Sequence, residues 1–200
     1  QAPAVKAVAP QIGSQLSISY LNRNTKSSIT GTTPEFLYVR NMAVARGRFF
    51  NSSEQQQNVQ VVALGSGLAQ KLFGSEDPLG KEVKIGNASF LAIGVMKAKG
   101  AFAGENLDDA AYVPITTMAD QLTGRRSPYG IPIDSMQVSA KDKQSIRAAA
   151  FQATNILTQR RGKQDISVVS DKSFNDLIDQ VTKILSLTLA AIASISLLVG

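Results

Sequence analysis

The sequence predicts an α+β fold whose last helix leaves water for lipid, and three observations carry that expectation. The first is a hairpin signal, Gly86-Asn87 between the runs Lys81–Ile85 and Ala88–Val95. Two residues that accept positive φ, flanked by apolar alternation, mark antiparallel strands. The second is a strand–helix–strand series, Asp134–Ala140, Asp142–Arg161 and Asp165–Ser170, a βαβ unit that implies parallel strands. The third is the final stretch, Ser173–Gly200, amphipathic for three turns and uncharged after Lys183.

In chain order, Val5–Val8 reads as a short apolar strand ending at Pro10, and Gln15–Leu21 alternates Leu16, Ile18 and Tyr20 against Ser17 and Ser19. That is the period of a half-buried strand. Asn22–Lys26 reads as a polar turn and Ser28–Thr32 as the return strand. Thr33-Pro34-Glu35 then starts a helix to about Met42, with threonine as N-cap and proline in the first turn. Asn51–Asn58 reads as a polar loop, and Val59–Leu64, apolar on both faces, as a buried strand. Gly65-Ser66-Gly67 opens a short helix through Leu68, Ala69, Leu72 and Phe73 that Gly74 stops. In the hairpin that follows, Val83, Ile85, Ala88 and Phe90 share one face while Leu91, Ile93 and Val95 line the other, so the second strand is central or covered. Lys97–Asp109 is a glycine-rich excursion, Ala111–Pro114 a strand, Thr116–Leu122 a short helix and Thr123–Pro132 a loop.

The last helix is expected to begin at a capping box, Ser173 with Asp176. Phe174, Leu177, Ile178 and Val181 form its apolar side. From Ile184 onward the only polar side chains are Ser186, Thr188, Ser194 and Ser196. A helix that is one-sided and then apolar all round has changed solvent. A lysine at the bilayer centre costs about 2.5–3.5 kcal/mol, which puts the water–lipid border near Lys183. A fully buried core helix is the alternative. The chain opens on Gln1 without a signal-peptide pattern and closes on Leu-Leu-Val-Gly without a cap, so flanking sequence is expected at both ends.

Composition narrows the function. The chain holds no cysteine and no histidine, which removes disulfides, thiol catalysis, most zinc sites and imidazole-based triads. The net charge of +6 is scattered, with tight pairs only at Arg125–Arg126 and Arg160–Arg161, and 6% aromatic content gives no stacking ladder. Nucleic acid is therefore not expected as a partner. Gly65-Ser66-Gly67 lacks the third glycine of a dinucleotide fingerprint, Gln70 standing in its place. No GxxxxGK[ST] loop exists, so the chain carries no ATPase motif and no cofactor is expected. Ser66 has neither a nucleophile elbow nor a histidine. Glu105, Asp108 and Asp109 form the densest carboxylate cluster, without EF-hand spacing. Phe102, on a flexible tip between Gly100 and Gly104, is either tucked under its loop or offered to a partner; with Lys97 and Lys99 it forms the candidate partner-contact loop.

Seven short motifs in fixed order carry a resemblance: Ala45–Phe50 (ARGRFF), Val62–Gly65 (VALG), Lys71–Gly74 (KLFG), Asp77–Lys81 (DPLGK), Ile93–Val95 (IGV), Tyr112–Pro114 (YVP) and Ile195–Gly200 (ISLLVG). The chain resembles, along essentially its whole length, the extracytoplasmic core domain of MacB-type ABC transporter permeases in the FtsX-like superfamily. The resemblance implies a porter-like α/β subdomain from residues 1–49 and 128–172, an inserted sabre-like mixed subdomain from 50–127, and a stalk helix entering a transmembrane helix over 173–200. It further implies a periplasmic domain on the inner membrane, an ATPase domain or subunit on the cytoplasmic side and a homodimeric transporter. A periplasmic adaptor and an outer-membrane channel are implied as well. The family offers no catalytic residue to carry over. Lipoprotein release, control of cell-wall enzymes and a freestanding ligand-binding module are the competing functions.

Overall fold

The computed structural model describes residues 3–102, 105–124, 130–142, 145–161, 181–186 and 188–189. The chain divides into two compact units, Gln1–Ala149 and Ala150–Gly200. In the first, a long hairpin of β1 (Val5–Tyr20) and β2 (Arg23–Thr32) leads into α1 (Phe36–Val39) and β3 (Val44–Gly47). Then come α2 (Ser52–Gln56), β4 (Val61–Leu64) and α3 (Ser66–Phe73). After them lie the hairpin β5 (Glu82–Ile85) and β6 (Ala88–Met96) and the small hairpin β7 (Ala101–Phe102) and β8 (Glu105–Asn106). A 3-10 turn (Leu107–Asp109) leads to β9 (Ala110–Pro114), α4 (Ile115–Thr117), a π turn (Met118–Thr123) and β10 (Ser135–Ala140). The helix α5 (Ile146–Arg161) runs on into the second unit, where residues 181–186 and 188–189 are helical.

One mixed sheet orders the strands β10-β1-β2-β9-β4-β6-β3, with β5 bridging β1 and β6. β2–β9 and β4–β6 are parallel pairs and the remaining pairs antiparallel. The central strands β4 and β9 are buried at every position, as their unbroken apolar sequences require. One face of the sheet packs Ile12, Ile18, Ile29, Val62, Leu64 and Phe90 under α3 and the α4–π segment. The other face buries Val61, Ala63, Met96 and Tyr112 beneath Phe36, Phe50 and Leu107. β6 feeds both cores because it bulges where Val62 and Ala63 of β4 meet Ala92 and Gly94, leaving Ile93 as the extra residue. Phe90 and Ala92 therefore belong to the first core, Ile93 and Met96 to the second.

Several boundaries differ from the sequence expectation. β1 runs straight through Pro10. Gln11 accepts from the Asp134 amide on the β10 side, so Pro10 turns its missing donor to the opposite edge. There its carbonyl accepts from Thr32 Oγ1 at 3.0 Å. The β1–β2 loop is the two residues Leu21 and Asn22, with Tyr20 opposite Arg23, so the polar stretch 23–26 is strand rather than turn. α1 begins after Glu35, without a side-chain cap from Thr33, and ends where Asn41 takes φ 47. The expected loop at 51–58 contains α2, started by a capping box in which Asn51 and Glu54 satisfy each other's amides. α5 starts at Ile146, with Asp142 accepting from the Ser145 amide at 2.7 Å. The expected strand Asp165–Ser170 and the helix start at Ser173 lie outside the described residues.

β1 changes partner along its length: Val5–Gln11 pairs with β10, and Ile12–Tyr20 with β2. The sheet also draws strands from both sides of position 50, since β3 pairs with β6. Among the described residues no helix is long and apolar enough to cross a membrane.

Candidate functional site

The candidate partner-contact loop leaves the end of β6. Lys97 is exposed, and its amide donates to Ala43 O at 2.8 Å. Lys99 reaches back to the end of α1, where its ammonium donates to Arg40 O and, at 2.9 Å, to Asn41 O. A cation on the last carbonyls of a helix is a C-terminal cap. The Lys99 and Gly100 amides both donate to Asp108, at 2.8 and 2.9 Å. The base of the loop is thus clamped to α1 and to the 3-10 turn. Phe102 pairs with Glu105 across the β7–β8 hairpin.

Asp109 has structural partners too. Lys71 Nζ lies 2.8 Å from it and Asn106 Nδ2 donates at 3.0 Å. Among the described residues no group of three or more His, Cys, Asp or Glu side chains is placed to hold a metal. The glycines before α3 have a packing reason. A methyl on Gly65 would stand 2.4 Å from Asp108 O, and one on Gly67 2.8 Å from Asp109 Oδ1. The Asp109 carboxylate lies beside Gly67 in the first turn of α3, with the favourable sign for that end of a helix.

Three buried hydroxyls are engaged as donors to carbonyls. Ser27 donates to Asp109 O, Thr32 to Pro10 O and Thr117 to Val59 O. A carbonyl cannot take a proton from them, so none of the three is an activated nucleophile. A cleft of about 440 Å³ opens on the second face of the sheet, between Gln11 and Gln15 of β1, Lys26 of β2, Arg40 just after α1, and Asp109 and Asp134. Asp134 fixes one rim by accepting from the Gly13 amide at 3.0 Å. The lining mixes polar side chains and both signs of charge with Phe36, Leu107 and Tyr112.

Of the stalk positions, Phe174, Leu177 and Ile178 lie outside the described residues. Val181 and Lys183 are helical and exposed. Val181, Ile184, Leu185 and Leu189 are 55–65% exposed, an apolar surface at helical spacing. What reading the sequence missed is the β1–β2 tip. There Leu21 is 81% exposed, Tyr20 Oη donates to Glu76 at 2.9 Å and Arg23 reaches Leu72 O at 3.4 Å. The Tyr20 bond and Lys81 at 3.2 Å together hold the Glu76 carboxyl below the usual glutamate range.

A family model described as the MacB-like periplasmic core domain matches residues 1–156. Among curated relatives, the macrolide export ATP-binding/permease protein MacB of Rhodospirillum rubrum is 32% identical over 203 residues, covering 100% of this chain and 30% of its own length. The pyoverdine export ATP-binding/permease protein PvdT of Pseudomonas syringae pv. syringae is 31% identical, covering 99% and 30%. The chain therefore spans about 30% of the length of the curated relatives it matches. Among solved structures, the periplasmic region of MacB from Actinobacillus actinomycetemcomitans superposes with a TM-score of 0.75 at 23% identity, over 88% of this chain and 77% of that one. The extracellular domain of the noncanonic ABC-type transporter YknZ from Gram-positive bacteria gives 0.71 at 22% identity, over 84% and 83%. Both likenesses speak to the fold.

Proposed function

The chain belongs to the MacB-like periplasmic core domain family, and from that premise we propose that it is the force-transmitting extracytoplasmic domain of an ATP-driven export permease. The match of residues 1–156 to that family carries the reading. The export proteins among its relatives favour export over lipoprotein release or cell-wall control. ATP hydrolysis belongs to a separate nucleotide-binding domain or subunit. Its motion reaches this domain through the stalk, Phe174, Leu177, Ile178 and Val181, with the membrane border at Lys183. The exposed apolar side chains at Ile184, Leu185 and Leu189 support lipid or a second stalk as their cover. A periplasmic adaptor, an outer-membrane channel and a homodimeric assembly complete the proposal. The division into a porter-like part, residues 1–49 and 128–172, and a sabre-like part, residues 50–127, belongs to it as well.

A proline substitution tests the lever. In the full-length protein Leu185→Pro removes a helical donor next to the border, at a cost of about 3 kcal/mol to a helix interior. Export should be lost while basal ATP hydrolysis persists, and Leu185→Ala should retain both. Export at the normal rate from Leu185→Pro, at equal membrane levels, would sink the lever.

A further inference from the structure

The tip of the β1–β2 hairpin breaks two local rules at one residue. Leu21 sits at φ 50, in the left-handed region, and is 81% exposed. Among the described residues two other non-glycine residues adopt positive φ, and both are asparagines, Asn41 and Asn58. Asparagine tolerates that conformation and leucine does not favour it. What sets Leu21 apart from other exposed apolar residues is that it is held outward in a backbone conformation leucine does not favour, the kind of outlier that points to function. The turn is also held firmly. Tyr20 stacks on Phe73 with ring centroids 4.2 Å apart, and Arg23 lies over the α3 C-terminus at Leu72. The surroundings are basic: Arg23 is two residues on, Lys84 pairs with Ser19, and Lys26 lies opposite Ser17, while Glu76 is taken up by Tyr20 and Lys81.

We propose that this tip is a docking point for a separate protein that offers an apolar socket for Leu21, edged by carboxylates facing Arg23 and Lys84. A lipid surface fits less well. One leucine gives little insertion, and three cations interspersed with Glu76 and Glu82 fall short of the four to eight that anionic membranes recruit. A second copy meeting tip to tip would bring the same excess of cations against itself. Burying one leucine accounts for roughly 10- to 100-fold in affinity, so Leu21 would dominate the contact.

The test uses the full-length protein in its own cells, with benzoylphenylalanine in place of Asn22 and brief irradiation. The expected product is an adduct with a different polypeptide whose yield falls about ten-fold or more in Leu21→Asn and in Leu21→Gly and returns in Leu21→Met. Lys84→Glu should weaken it in a salt-dependent way. The purified Leu21→Asn domain should melt at the same or a higher temperature, which separates lost contact from lost fold. The proposal is overturned by an adduct that Leu21→Asn and Leu21→Gly leave unchanged, by adducts carrying only lipid or only a second copy of the chain, or by no adduct. Crosslinking reads neither transport nor ATP hydrolysis, so the docking point and the lever fail separately.

Discussion

Glu54 holds three partners at once: both terminal nitrogens of Arg48 at 2.7 Å and the Asn51 amide at 3.0 Å. Its side chain is 16% exposed, so these bonds are little diluted by water. The Arg48 guanidinium, helped by the Asn51 amide, holds the carboxyl below the usual glutamate range against the opposing effect of burial. The sign of the linkage follows. A carboxyl with a lower pKa folded than unfolded stabilises the protein fully above its unfolded value, and that share is lost as the pH falls through the folded value. Glu54→Gln should cost about 1–2 kcal/mol at neutral pH, from the cap and the charged bonds together. It should also flatten the loss of stability between neutral pH and about pH 3. Urea midpoints of the two proteins at both pH values check this; parallel acid profiles would count against the assignment.

At the scale of elements, close packing between β2 and the π turn sets a limit. A methyl on Gly31 would stand 2.4 Å from Met118 Cβ and 2.6 Å from Cγ. Cβ is fixed to the backbone and cannot step aside, so Gly31→Ala should destabilise by about 1–3 kcal/mol. Trimming the neighbour to Met118→Ala should not rescue it, because the nearest atom stays. A double variant as stable as Met118→Ala alone, in thermal melts, would refute that account. These elements also show which parts of the fold were legible. β4 and β9 could be read because central strands are apolar at every position, and the Gly86-Asn87 hairpin because its turn chemistry is local. The passage of β1 through Pro10 could not, since it depends on which edge carries β10, more than 120 residues away. The capping box of α2 was legible in Asn51 and Glu54, but the polar composition around it suggested a loop. The Lys99 clamp was hidden because its acceptors lie nearly sixty residues earlier. Leu21 was hidden because leucine is no turn signal.

For the whole molecule, the distribution of the cores makes a prediction about independence. Among the described residues both hydrophobic clusters, from Ala9 to Ile133, and the strands of the mixed sheet fall within Gln1–Ala149. Burial of apolar surface is the main favourable term in folding, and cooperativity follows the contiguous core. Among the described residues neither cluster takes a member from beyond 149. A fragment of residues 1–149 should therefore unfold in one cooperative transition with native near-ultraviolet circular dichroism, whereas α5 is cut after its first turn and should fray. A fragment that binds hydrophobic dye and melts without a cooperative step would mean that residues 150–200 supply core after all. Retention of the fold would mean that the export lever, if it acts as proposed, pulls on a body that keeps its shape without the stalk. Displacement of the stalk would then move the β1–β2 tip with the sheet instead of being absorbed by local unfolding.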